Sequence, residues 1–314
     1  MIKETSKELP KIAISIGDLN GIGIEIAIKS HEEISKICTP VYCISKILLD
    51  KCASLLNLNI PENFTLFETA GDFEINPSKV SKNAGLYSYI SFIDAINLAI
   101  QKEVDAICTL PINKQSWAKA DITYKGHTQF LRDVFKKDAI MMLGCEKMFV
   151  ALYTEHIPLK NVAKNIETKH LKNFFLDFNS SIETEKIAVL GLNPHAGDKG
   201  VLGNEEKAIK KAIKKANKIL KKEIFVGPLV PDTAFSPKAR EKFQYYIAMY
   251  HDQGLAPLKA LYFDESINVS LNLPIIRTSV DHGTAFDIAY KNQDPSRESY
   301  KNAIKEAVKL SLKR

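Results

Sequence analysis

Three of the seven histidines stand just beyond apolar, strand-like runs. His156 follows MFVALYT in TEHIPLK, His195 follows KIAVLGL in NPHAGDKG, and His251 follows YYIAMY in YHDQGLAPLK. Each lies near a Gly or Pro that turns the chain. In an open α/β sheet, ligands bind beyond the carboxyl ends of the strands. One histidine at such a place is an ordinary structural hydrogen-bonder. Three at equivalent places also fit a shared divalent metal, although their spacing is not a local zinc motif. Imidazole donors admit zinc and cobalt, whereas magnesium prefers oxygen. A three-imidazole site keeps positions open for substrate or water, and there the metal acts as a Lewis acid on an alcohol oxygen. Asp252 and Asp232 (in VPDTAF) are candidates to orient such ligands or to serve as general base; a cap or turn residue is the plainer reading of each.

A second group of donors suits an anion. GHTQFL puts His127 and Thr128 just after a glycine at a helix start, where free N–H groups and the helix dipole favour phosphate. Lys259, Asn268 and Arg277 add donors from the C-terminal third. Arginine suits bidentate contact with phosphate or carboxylate. Taken singly, each is more simply a surface or structural donor. The loop GDLNGIGIE (17–25) follows a strand and opens a helix, but it is G-x-x-x-G-x-G and not the dinucleotide fingerprint, so it reads as a tight turn.

The elements that carry these residues alternate. Strand-like KIAISIG (11–17) and PVYCIS (40–45), helical KILLDKCASLLNL (46–58) and 84–104, and strand-like DAICTLP (105–111) set a β-α-β rhythm. That rhythm predicts a parallel or mixed sheet with helices on its faces. Further apolar stretches cover 148–154, 186–194, 224–235, 245–254 and 267–280, and a last helix is expected from Pro295 onward. With 314 residues, 45% of them hydrophobic, the chain has material for a large core or two domains. No apolar run reaches the roughly 20 residues of a bilayer span, and MIKETSKELPK lacks an apolar signal region. Five cysteines without C-x-x-C pairs fit reduced thiols in the cytoplasm. The net charge of +6 is concentrated in NEEKAIKKAIKKANKILKKE (204–223). Apolar residues there fall at helical spacing with lysines between them, and no aromatic interleaves them. A solvated amphipathic face is expected rather than a nucleic-acid patch.

Taken together, IGDLNGIGIE, LPINK, GHTQFL, NPHAG, the Glu pair 205–206, GPLVPDTAF, YHDQGLAPLK and NLPIIRTSVDHGTAFDIA resemble the 4-hydroxythreonine-4-phosphate dehydrogenase family of pyridoxal phosphate biosynthesis. The resemblance implies the α/β fold of the isocitrate and isopropylmalate dehydrogenases, with two α/β domains and a cleft between them. Residues 1–124 with 263–314 would form a discontinuous NAD-side domain, and 125–262 a second domain with the metal ligands and dimer contacts. It further implies a homodimer whose metal, zinc, magnesium or cobalt, is held by His156, His195 and His251 drawn from both subunits. The small phosphorylated substrate would meet His127, Thr128, Lys259, Asn268 and Arg277. DHGTAFDIA is similar to the adenosine loop of isopropylmalate dehydrogenases, so His282, Gly283, Thr284 and Asp287 are expected at NAD, with NADP as the alternative. The implied reaction is oxidation of 4-phosphooxy-L-threonine at C3, then decarboxylation to 3-amino-2-oxopropyl phosphate. A dehydrogenase of threonate or erythronate 4-phosphate is the alternative. Leu19-Asn20 and Gln129 depart from the family pattern, which has Pro-Ala and glutamate there. No nucleic-acid or membrane partner is expected.

Overall fold

The computed structural model describes residues 8–313; the N-terminal segment read for a signal lies mostly outside them. Eleven strands are found among the described residues. In chain order they are β1 (Lys11–Ser15), β2 (Thr39–Cys43), β3 (Leu66–Phe67), β4 (Ala106–Thr109), β5 (Ile140–Cys145), β6 (Met148–Leu152), β7 (Ile187–Leu190), β8 (Phe225–Leu229), β9 (Tyr245–Ala248), β10 (Ile267–Leu271) and β11 (Arg277–Val280). The chain forms two compact units, one of residues up to Lys136 and from Pro274 onward, the other of Lys137–Leu273.

In the first unit the strand order is β3-β2-β1-β4-β11, all parallel. Parallel strands covered on both faces need apolar side chains at every position, not at alternate ones. Ile12, Ala13 and Ile14 of β1 and Ala106, Ile107 and Cys108 of β4 are accordingly all fully buried. Three of the unit's helices begin where short polar side chains cap them. Ser45 Oγ accepts from Leu48 N at 3.3 Å, Ser81 Oγ from Ala84 N at 3.1 Å and Asn113 Oδ1 from Ser116 N at 2.9 Å.

In the second unit the order is β10-β5-β6-β9-β7-β8. β10, β5 and β6 are antiparallel neighbours, while β6, β9, β7 and β8 run parallel. The lysine-rich segment is the helix Glu205–Leu220. It buries Ile209, Ala212, Ile213 and Ala216 and exposes Lys207, Lys210, Lys211, Lys214, Lys215 and Lys218, which is the solvated amphipathic face its spacing predicts.

Two stretches divide in ways their apolar content did not reveal. The run 245–254 is a strand only to Ala248, and a helix begins at His251. The run 267–280 breaks between β10 and β11. There Asn272 turns left-handed at φ 60° with its Nδ2 donating to Asp138 O at 3.1 Å. Pro274 then follows, without an N–H for a ladder.

Candidate functional site

In the first unit the connection from β1 leads one way, to β2 and β3, and β4 lies on its other side. This reversal falls at the carboxyl ends of β1 and β4, the usual ligand place in such sheets. Three loops meet there. Asp18 N donates to Pro111 O at 2.9 Å, Ile22 N to Thr284 O at 3.1 Å, and Tyr290 OH to Leu19 O at 2.7 Å. The glycine loop, which sequence reasoning read as a plain tight turn, thus seats the 282–287 segment. A Cβ at Gly21 would lie 2.7 Å from the Thr284 carbonyl oxygen, closer than any side chain tolerates. Gly21→Ala is therefore expected to destabilise the chain by about 1–3 kcal/mol, measured by urea unfolding. An unchanged midpoint would mean the two loops move independently. Within the segment, Thr284 is buried, His282 Nδ1 lies 3.0 Å from Gly283 O, and Gly283 and Asp287 are exposed.

Asp18 is fully buried at this reversal, with Oδ1 accepting from Asn20 N at 3.0 Å. Burial pushes its carboxyl up from 3.8 to about 6, the Asn20 amide offsetting part of the rise. A carboxyl whose folded pKa is raised stabilises the fold most below its unfolded pKa. That contribution falls as pH climbs through the window from 3.8 to about 6. Asp18→Asn should remove this slope, leaving the variant more stable than the parent at pH 8 by up to about 3 kcal/mol and little changed near pH 4. Parallel stability–pH curves for the two chains would refute the assignment.

The predicted anion donors of the first unit come together. Arg277 opens β11 and is buried; its Nη2 donates to Thr109 Oγ1 at 2.7 Å and its Nε to the same oxygen at 3.2 Å. Nη2 also lies 3.2 Å from Nδ1 of His127, the first residue of the helix His127–Phe135. A guanidinium only donates, so Nδ1 must accept, and the proton of this neutral imidazole sits on Nε2. That Nε2 is buried without a partner. Burial first, then the Arg277 charge, holds the His127 pKa well below its usual range. Burial lowers Arg277 to about 10, so it remains a cation at neutral pH. Phe92 and Trp117 pack edge-on against His127, with ring centroids at 4.5 and 5.7 Å. Thr128 follows as the second residue of the helix, half-buried. Gln129, where the family pattern has glutamate, accepts from Lys125 N through Oε1 at 2.8 Å, a bond an amide makes as well as a carboxylate. Thr109 escaped sequence reasoning because it lies 168 positions from Arg277.

In the second unit the parallel run β6-β9-β7-β8 explains the repeated motif. Adjacent strands deliver His156, His251, His195 and Asp232 after their carboxyl ends, all toward one edge of the sheet. His156 and His251 come together, with ring centroids 5.6 Å apart. His251 Nδ1 lies 2.7 Å from Asp252 Oδ1, which leaves Nε2 as the ring nitrogen open to a ligand. His195 does not complete a triad within one chain: among the described residues no three His, Cys, Asp or Glu side chains gather as a metal-binding group. His195 instead stands in a loop of unusual backbone, with φ of 52° for His195, 49° for Ala196, 77° for Gly197, 40° for Asp198 and 56° for Lys199. Asp232 lies exposed in a turn. Lys259, in the helix His251–Tyr262, holds its ammonium 5.2 Å from the centre of the Phe263 ring. Asn268 sits in β10 opposite Leu143.

A parallel sheet with loops meeting at its reversal point, a buried guanidinium beside an imidazole, and a pair of solvent-accessible imidazoles mark an α/β protein with the polar groups that small charged ligands require. Within that class, the family described as pyridoxal phosphate biosynthetic protein PdxA matches residues 36–307, and the chain belongs to it. It is 65% identical to a 4-hydroxythreonine-4-phosphate dehydrogenase of Sulfurimonas denitrificans, over 96% of this chain and 97% of that one. It is 56% identical to the protein of that name from Campylobacter fetus, over 96% and 98%. Among solved structures, 4-hydroxythreonine-4-phosphate dehydrogenase from Klebsiella pneumoniae superposes with a TM-score of 0.83 at 31% identity, over 96% of this chain and 99% of the other. The α/β architecture is the one the sequence resemblance implied.

Proposed function

We propose that the chain is an oxidoreductase of vitamin B6 biosynthesis that oxidises 4-phosphooxy-L-threonine at C3 with NAD and releases CO2 to give 3-amino-2-oxopropyl phosphate. The observation that carries this reading is the 65% identity, end to end, with a 4-hydroxythreonine-4-phosphate dehydrogenase. The geometry supports it in two places. Arg277 offers a charge, and the unpartnered Nε2–H of His127 offers a donor, to a phosphate dianion. Thr128, Lys259 and Asn268 are the further contacts proposed for the substrate. The paired imidazoles of His156 and His251 suit a borderline cation such as zinc or cobalt better than magnesium.

When bound, a divalent cation supplies Lewis acidity toward the C3 oxygen, and NAD supplies the hydride acceptor. The chain's own residues do the rest. Arg277 and His127 anchor the remote phosphate, so that binding energy orients C3 for hydride transfer. The hydroxyl proton leaves to a base, for which Asp252 and Asp232 are the candidates, and the hydride leaves with its electron pair. The resulting β-keto acid loses CO2, and the carbon that held the carboxylate takes up a proton. His282, Gly283, Thr284 and Asp287 are proposed to meet the adenosine end of NAD, seated by the glycine loop.

The third imidazole is proposed to come from a second copy of the chain. Apolar side chains within six residues of two of the site histidines lie open to solvent: Ile157 is 38% and Leu159 69% exposed after His156, and Val201 is 78% exposed after the His195 loop. An exposed apolar group of this kind marks an interface. The cytoplasm is the proposed compartment, since all five thiols are unpaired and buried. No helix among the described residues is long and apolar enough to cross a membrane.

The test is NADH formation from 4-phosphooxy-L-threonine, with and without thorough chelation. Turnover abolished by the chelator and restored by zinc or cobalt is expected. Turnover of erythronate 4-phosphate in its place would move the substrate to the sugar-acid alternative.

A further inference from the structure

We propose that Glu206 is the positioning residue of the His195 loop, its buried carboxylate fixing the backbone that carries the imidazole. The inference rests on the reading of His195 as a metal ligand. Five consecutive residues, His195 to Lys199, have left-handed φ, and four of them are not glycine. Single residues visit this region; a run of them persists only where the surroundings over-determine it. The surroundings here converge on one side chain. Glu206 Oε1 accepts from Leu192 N at 3.0 Å and from Asn193 N at 2.7 Å, and Oε2 accepts from Asn193 Nδ2 at 3.0 Å. Asn193 Nδ2 also donates to Glu205 Oε2 at 2.7 Å. The loop wraps directly over this carboxylate: a Cβ at Gly197 would lie 2.5 Å from Glu206 Oε2, and one at Gly203 would lie 2.1 Å from Asn193 Nδ2.

A carboxylate suits the task. Its bonds to backbone amides are charge-assisted and roughly twice as strong as neutral ones. Glu206 lies in the first turn of the helix Glu205–Leu220, where the dipole favours negative charge. At its other end the loop is tied to the sheet. Gly191 N donates to Leu229 O at 2.8 Å, and Gly191 O accepts from Gln253 Nε2 at 2.7 Å. Gln253 is two residues from His251, so the backbone anchors of two site histidines share a hydrogen bond. Glu206 itself touches no reacting group; its effect passes through His195.

The experiment compares the full-length parent with Glu206→Ala, Glu206→Gln and His195→Ala, by hydrogen exchange without metal and by cobalt(II) titration followed in the visible spectrum. In E206A the amides of 192–203 should exchange at least about tenfold faster, and cobalt should bind about 10–100-fold more weakly with an altered spectrum. Affinity for NAD should stay at the parental value. E206Q keeps the Oε1 contacts and should recover most of the cobalt affinity. If E206A exchanges like the parent, the proposal is overturned. It is equally overturned if cobalt affinity stays within twofold in E206A while H195A loses the metal, or, where E206A does not fold, if E206Q loses cobalt as fully as H195A does. If H195A binds cobalt as the parent does, the metal reading fails, and the exchange rates alone decide whether Glu206 orders the loop.

Discussion

Replacing His251 with alanine is expected to lower kcat by about a thousandfold or more, with little change in Tm or in NAD affinity. The rate loss follows from removing one of two adjacent imidazoles, His156 and His251, on which the proposed cation depends. Lewis-acid stabilisation is worth several kcal/mol at the barrier, and each 1.36 kcal/mol is a factor of ten. The fold should survive. His251 is the first residue of its helix, and the Asp252 carboxylate it meets is 85% exposed. An ion pair at that exposure contributes little to stability. Asp252→Asn should cost much less, about 10–100-fold, because it frees the ring orientation without removing a donor atom. Added zinc should rescue Asp252→Asn partly and His251→Ala hardly at all. Full chelator-sensitive activity in His251→Ala would remove this imidazole from the site.

Arg277→Lys is expected to raise KM for the phosphorylated substrate about a hundredfold while leaving KM for NAD within about twofold. The substitution keeps a positive charge, so a large effect must come from geometry. The guanidinium reaches Thr109 Oγ1 through both Nε and Nη2 and His127 Nδ1 through Nη2. An ammonium is a single point and cannot reproduce that fork. It would also release His127 Nδ1 from its acceptor role, so the proton at Nε2 would no longer be fixed. Losing a well-placed donor to an anion costs about 2.7–4 kcal/mol in comparable sites. A substrate analogue without the phosphate should bind parent and variant alike. An equal rise in KM for NAD would reassign Arg277 to the framework of β11.

The histidines were legible before any coordinates because parallel strands announce themselves. A strand buried on both faces is an unbroken apolar run, and the first polar group beyond it marks the ligand edge. His156, His195 and His251 each follow such a run. The antiparallel β5 was passed over: its short apolar IMMLGC is followed by no turn glycine or proline, only by a tight hairpin at Glu146 and Lys147. Asp18 gave no sign of its burial, since a Gly-Asp pair after a strand is also the commonest kind of exposed turn. Glu206 was visible only as part of a motif. Its task depends on amides at 192 and 193 that fold back onto it, and such pairing has no local pattern.

The chain contains a single tryptophan. Trp117 is fully buried, donates its indole N–H to Ser88 Oγ at 2.8 Å, and lies edge-on to His127. All intrinsic indole emission therefore originates one ring away from the imidazole proposed to face the anion. Fluorescence of the unlabelled enzyme becomes a direct optical gauge of occupancy at that imidazole, readable in a stopped-flow cell before any hydride has moved.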